Sequence, residues 1–390
     1  MSNTPFRAGQ WERAKADAWG RWRASSESLL RPRLATLISG ISSVAREYFA
    51  DPTLAAAAVR QFPDVLRSCD SLDFDSAAET VSYMIWHLAD RYGRVTQVLD
   101  RIFELGHLPI KLGGATVLEV GAGPAPALYA VRDYYDDLRA WTATTKLGVK
   151  VAPSTALASI DRGVAWSSLL HQLSETLWSL YWPRAETPLP FEISYDNLAG
   201  FSARGLHAGT IERNARIIEM EFERAGEDVS IHTARQYALE DGAYPPSAYD
   251  MIIMCNFLTN TKLTQLFEAE IGELAQSLTP GGLLIVLGGQ GGQYPAIYEK
   301  LQNIMRESRL RQIVGLDEAL QAQASDWQRQ MVGAQIRSDV AFASAMAQET
   351  FVSVSAELPT DIVMLDQIVN FPRFRVHVWK NEWGAQKPAI

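Results

Sequence analysis

Residues 116–130 read TVLEVGAGPAPALYA, and this stretch decides the fold. Thr116–Val120 is a short apolar run with β-branched residues, Gly121–Pro126 mixes glycine, alanine and proline, and Ala127 opens a run of helix formers. The expectation is a strand, a tight turn and a helix. Glycine allows close approach of a ligand, and a helix start leaves N–H donors without intrahelical partners. The turn is therefore expected to present bare N–H groups to a bound molecule.

The residues around the turn narrow what that molecule is. A dinucleotide-binding turn wants a third glycine three residues after the second, and that position here is Pro126. A phosphate-cradling loop ends in lysine followed by serine or threonine, whereas Leu128 and Tyr129 stand here. Glu119, two residues before Gly121, opposes a pyrophosphate by like charge and favours a cation. S-adenosylmethionine, with its ammonium and sulfonium, meets that condition.

LEVGAGPAP also resembles the first motif of the class I S-adenosylmethionine-dependent methyltransferases, an acid followed by Gly-x-Gly. It departs from the commonest form at Ala125, where a third glycine is usual. The resemblance implies an α/β protein with a seven-stranded, mostly parallel, Rossmann-like sheet. It implies that Glu119 serves the methionine end and that Gly121, Ala122, Gly123 and Ala125 line the cofactor. It also implies that Asp161, closing the second strand in ASID, accepts from the ribose hydroxyls, although the interval from Gly121 is twice the usual one. Asn256 and Phe257, after YDMIIMC, then fall beside the transferred methyl, both as cofactor contacts and, for Asn256, as a catalytic group. Leu258 and Thr259 replace the Pro-Pro-aromatic of enzymes that methylate base nitrogens.

Outward from the motif the texture changes twice. Residues 1–110 show helical periodicity with few glycines, and Trp11, Trp19 and Trp22 share a face, as do Tyr83, Trp86 and His87. An all-helical N-terminal domain ending near 110 is expected, followed by the methyltransferase-like domain over 111–390. On the leader, Arg91, Tyr92 and Arg94 are placed to close over a cofactor carboxylate. Strands are expected near 116–120, 155–160, 228–232, 249–255 and 282–288, the last announced by a Pro280-Gly281-Gly282 turn. TFVSVSAEL and FRVHVWKN would add an edge pair. A long insertion at about 182–226 reads as a lid or substrate wall carrying Tyr195, Asn197, Arg204 and His207, of which Tyr195 and His207 are the candidate catalytic groups. GGQGGQY at 288–294 reads as a strand exit.

Composition sets outer bounds. The chain of 390 residues carries a formal net charge of -9, which opposes a nucleic-acid backbone, so small-molecule substrates are expected. No apolar run approaches membrane-spanning length and no leader peptide is evident, so no membrane partner and a cytoplasmic location are expected. Cys69 and Cys255 lack neighbours at ligand spacing, and no metal is expected. The function these readings favour is methyl transfer from S-adenosylmethionine to oxygen or nitrogen of a small acceptor. Two alternatives stay open: cyclisation or aminocarboxypropyl transfer releasing methylthioadenosine, and a non-catalytic assembly role like that of methyltransferase-like proteins of mitochondrial small ribosomal subunits. Oligomeric state is open as well.

Overall fold

The computed structural model describes residues 8–67, 72–110, 115–145, 155–181, 230, 249–316, 319–320, 326–350 and 374–382. Five helices come first: α1 (Ala8–Ala24), α2 (Leu30–Phe49), α3 (Pro52–Arg67), α4 (Ala77–Tyr83) and α5 (Ala89–Glu104). Ser76 starts α4 with a capping box, its hydroxyl accepting from the Glu79 N–H while the Glu79 carboxylate accepts from the Ser76 N–H. Between α4 and α5 lies one wide turn of π-helix, Met84–Leu88.

The α/β part follows as β1 (Ala115–Val120), α6 (Pro126–Thr145), β2 (Thr155–Ile160), α7 (Trp166–Tyr181), β3 (Tyr249–Cys255), α8 (Thr261–Leu266), α9 (Glu268–Gln276) and β4 (Leu278–Gly288). Then come α10 (Tyr294–Glu307), β5 (Arg311–Gln312), β6 (Ala319–Leu320), α11 (Asp326–Thr350) and β7 (Phe374–Lys380). The strand order is β2-β1-β3-β4-β7-β5, with β6 also paired to β7. Strands β2, β1, β3 and β4 run parallel, while β7 is antiparallel to β4, β5 and β6, so the sheet is mixed. FRVHVWK supplies β7, paired to β4 on one side and to the two-residue β5 and β6 on the other. TFVSVSAEL and the strand expected at 228–232 lie outside the described residues, Ser230 apart.

Both faces of the parallel strands are covered, which explains their continuous apolar sequences. Val117, Met251, Ile253, Leu283 and Ile285 point into one apolar cluster together with residues of α2 to α7 and α11. Their alternates Leu118, Val120, Ile252, Met254, Leu284 and Val286 point into a second cluster with α9 and α10. The N-terminal helices therefore bury their apolar stripes in the same cluster as the first sheet face. Trp19 and Trp22 sit in that cluster, each satisfying its indole N–H on a carboxylate, Asp100 and Asp137 respectively.

Strand β4 starts earlier than the glycines suggest. Leu278 already pairs with Tyr249, and Thr279–Gly282 bulge out before Leu283 pairs with Met251, with Gly281 at φ +81. The exit of β4 needs glycine for packing: a Cβ on Gly288 or Gly289 would stand 2.5 Å from the Tyr294 ring.

The helix after β1, α6, packs on one face, and the helices after β3 pack on the other. A crevice opens at such a reversal, outside the carboxyl ends of β1 and β3, where ligands of open α/β sheets bind.

Candidate functional site

The turn after β1 lies at that reversal. Gly121, Gly123 and Ala125 all have positive φ, at +63, +51 and +55, a conformation glycine adopts freely and alanine only with strain. Position 125 thus needs a glycine-type backbone, which is the physical sense of the third glycine that this chain replaces.

The expectation of bare N–H groups is corrected by the hydrogen bonds. Gly121 and Ala122 donate to the Ile160 carbonyl at 2.8 and 3.2 Å, and Gly123 donates to Asp161 at 2.7 Å. Ala125 and Tyr129 donate to the carbonyls of Ala122 and Ala125. Ala127 and Leu128 both donate to Glu119 at 3.1 Å. Pro124 and Pro126 have no N–H to offer. From Gly121 to Tyr129 every backbone donor is spent, so the turn is not an anion cradle.

Glu119 lies beneath the turn, not on its open side. It is 1% exposed and its carboxyl caps the first turn of α6. Burial pushes its pKa up to about 8, against the pull of the two N–H donors and of Arg91, while nearby Asp161 pushes it further up. Asp161 follows β2 and holds Gly123 with one oxygen and Gly163, at 2.9 Å, with the other. Burial raises its pKa as well. Each carboxylate oxygen can accept a second bond, so the fixed Asp161 carboxylate retains capacity for two hydroxyl donors.

From β3 the chain turns sharply at Asn256, whose φ is +54 and whose N–H donates to the Leu287 carbonyl at 2.9 Å. Its side-chain oxygen is buried with no hydrogen-bond partner among the described residues. Phe257 then lays its ring on Gly121. Glu119, Gly121, Ala122, Gly123, Ala125, Asp161, Asn256 and Phe257 are thus brought to one rim of the sheet. Tyr195, Asn197, Arg204 and His207 lie outside the described residues.

Sequence reasoning missed an aromatic wall on the turn's other side. A Cβ on Gly123 would stand 3.4 Å from the Trp166 ring and 3.7 Å from that of Tyr83. Phe74 joins these two at centroid distances of 5.2 and 5.0 Å, and the His87 ring lies tilted against Tyr83 at 4.6 Å. The Trp166 Nε1 donor is buried without an acceptor among the described residues. Phe74 itself takes φ +57, and its stretch of chain is tied down by Arg162, which donates to the Leu72 carbonyl and to Asp73 at 3.1 and 3.0 Å. The visible signal was Trp166 three residues after Gly163, close behind Asp161. Cys255 ends β3 as an inert thiol, its pKa pushed up to about 12 by burial.

No family profile matches this sequence, and neither does any curated protein. Solved structures of similar shape include methyltransferases. An O-methyltransferase family protein from Burkholderia thailandensis is 13% identical, with 67% of each chain covered and a TM-score of 0.32. Geranyl diphosphate C-methyltransferase from Streptomyces coelicolor A3(2), in complex with Mg2+, geranyl diphosphate and S-adenosyl-L-homocysteine, is 10% identical over 73% of this chain and 77% of its own, with a TM-score of 0.30. The cyclase SpnF is 14% identical over 75% and 82%, with a TM-score of 0.37. Likenesses at these scores decide nothing about chemistry, which rests on the site itself.

A ligand that fits this rim has hydroxyl donors for Asp161, a donor for the Asn256 oxygen, an acceptor for the Trp166 indole, and no phosphate. An adenosine bearing a cationic amino-acid arm has each of these features; a dinucleotide or nucleoside triphosphate meets a turn with no donors to give. No described helix is long and apolar enough to cross a membrane.

Proposed function

We propose that this protein is an S-adenosylmethionine-dependent methyltransferase acting on oxygen or nitrogen of a small-molecule acceptor in the cytoplasm. The observation that carries the reading is the full internal use of the turn's N–H groups above a buried acid, beside an oriented Asp161. That combination rejects polyphosphate and accepts a polyhydroxylated, positively charged nucleoside.

In this reading the cofactor supplies an activated methyl group on a sulfonium. The chain's own work is alignment, which accounts for most of the rate in such transfers. Asp161 fixes the ribose and the glycine turn lets it approach. Glu119 shapes the turn from below, and a cation at the methionine end favours its ionised form. Asn256 offers its amide oxygen to an N–H or O–H beside the methyl, and the Phe257 ring closes that side against water. A base is needed only for an acceptor protonated at the working pH, and Tyr195 and His207 of the 182–226 insertion are the candidates. The helical leader over 1–110 and that insertion would wall the acceptor pocket of the 111–390 domain, which is built on the seven-stranded sheet.

Calorimetry with S-adenosylhomocysteine, NAD and ATP tests the ligand class, and labelled-methyl transfer into a metabolite extract tests the reaction. Binding of S-adenosylhomocysteine alone and a labelled product are expected. Uptake of NAD or ATP in its place rejects the proposal.

A further inference from the structure

Strand β7 enters the sheet beside the exit of β4, and its second residue is an arginine. Arg375 pairs with Gly288, the last residue of β4. Residues directly opposite on neighbouring strands project to the same face. On that face a Cβ at position 288 would stand 2.5 Å from the Tyr294 ring and 2.7 Å from the Tyr298 hydroxyl. The Arg375 charge is accordingly felt at Tyr298, where it opposes the upward push of burial on the phenol. That hydroxyl is already engaged, donating to the Gly289 carbonyl at 2.8 Å.

Arg375 is only partly exposed, and its Nε is buried with no acceptor among the described residues. No described carboxylate pairs with its guanidinium. Gln290, two residues past Gly288, likewise has its side-chain nitrogen buried without an acceptor among the described residues. Buried N–H groups are costly when left unpaired, so two of them at one end of one strand pair call for an acceptor.

The sheet register says whose acceptor it is. Cys255 is level with Leu287, and Gly288 with Arg375, so Asn256 stands in one row with Gly288 and Arg375. Two strand spacings, roughly 10 Å, separate the ends of that row. Asp161 follows β2, on the opposite side of β3 from β4 and β7. The spare donors therefore lie beyond Asn256 as seen from the ribose contact, where the methyl acceptor sits in the proposed function.

A guanidinium presents parallel N–H groups in a planar fork that matches a carboxylate or phosphate in two bonds. We infer that Arg375 and Gln290 form an oxyanion subsite for the methyl acceptor, which therefore carries a carboxylate or a phosphate. This inference rests on the proposed function and adds to it the charge class of the acceptor.

The test uses the full chain, labelled S-adenosylmethionine and a metabolite extract split on an anion exchanger at pH 8. Label is expected to enter the retained, anionic fraction. Label entering only the unretained fraction overturns the subsite and leaves the proposed function standing, and label in neither overturns both. Phosphatase treatment of the retained fraction separates the two chemistries: acceptor activity that survives is a carboxylate's, activity that is lost a phosphate's, and either upholds the subsite. Arg375→Leu is expected to bind S-adenosylhomocysteine as the wild type does and to lose about 10- to 100-fold in transfer at dilute acceptor. Because the loss is in acceptor binding, it should shrink as the retained fraction is concentrated, and Arg375→Lys should fall between. Full transfer at dilute acceptor in a folded Arg375→Leu overturns the subsite, as does a loss that concentration fails to relieve. The fraction test needs no variant and so decides the matter even where Arg375→Leu does not fold.

Discussion

The ring of Phe257 occupies the space that a side chain at position 121 would require: a Cβ on Gly121 would lie 2.2 Å from Phe257 Cδ2. The turn after β1 and the turn after β3 are therefore built against each other, and Gly121 is fixed by a partner 136 positions away as well as by its φ of +63. Gly121→Ala combines a clash with left-handed strain and is expected to destabilise by about 2–5 kcal/mol. Phe257→Ala removes a half-buried ring, at a cost of about 1–3 kcal/mol. The double variant keeps the strain but loses the clash, so it should be more stable than the sum of the two by at least about 1 kcal/mol. Urea unfolding of the four proteins measures this, and simple additivity would contradict the packing.

Glu119 makes stability depend on pH with a definite sign. Unfolded, the carboxyl releases its proton near 4.5; folded, it holds the proton up to about 8. Between those values the native state binds the extra proton, so stability falls as pH rises, by about 1.4 kcal/mol per unit at most, and levels off above 8. Glu119→Gln should erase this slope and melt higher than the wild type at pH 8 while matching it near pH 5. A cation bound near the turn favours the ionised form, so wild-type affinity for S-adenosylmethionine should rise from pH 6 to 8. Arg91 favours the same ionisation, whereas Asp161 opposes it. Thermal melts of both proteins across that range, with and without ligand, carry the test.

The parts of this molecule that a reader of sequence can see are the local ones. TVLEVGAGPAP announces a strand and a turn because its signals lie within fifteen residues, and YDMIIMC and GGLLIVLG announce strands because both their faces are buried. Even the loss of donors was partly visible, since Pro124 and Pro126 remove two N–H groups from the loop. What stayed hidden depends on distant pairings. That Glu119 turns under α6, that Phe257 lies on Gly121, and that Tyr83 and Trp166 stand against Gly123 are consequences of how α4, α7 and β3 pack, and none leaves a periodic trace. The wide turn Met84–Leu88 is hidden for the same reason: MIWHL reads as ordinary helix.

Asp161 holds two N–H groups with a geometry that asparagine cannot copy, because its amide nitrogen donates. In Asp161→Asn one of the Gly123 and Gly163 donors faces another donor, and one hydroxyl acceptor on the rim is lost. Stability is expected to fall by about 1–3 kcal/mol and affinity for S-adenosylhomocysteine by about 10- to 100-fold. Calorimetry and denaturation on the same preparation report both. Unchanged affinity alongside lowered stability would leave Asp161 as a brace for the turn and remove it from the ribose contact.

Asn256 carries two separable properties, a left-handed backbone and a buried amide oxygen without a partner among the described residues. Asn256→Gly keeps the first and removes the second, whereas Asn256→Ala removes both and adds strain of about 1 kcal/mol. If the oxygen exists to meet the acceptor beside the methyl group, the glycine variant should fold within about 0.5 kcal/mol of the wild type, since an unsatisfied buried acceptor is itself destabilising. It should bind S-adenosylhomocysteine normally and lose about 10-fold or more in labelled-methyl transfer, the scale of one charge-stabilising hydrogen bond. Asn256→Ala should show the same catalytic loss with lower stability. Full transfer activity in Asn256→Gly would assign the residue to the turn alone, with asparagine there for its tolerance of positive φ.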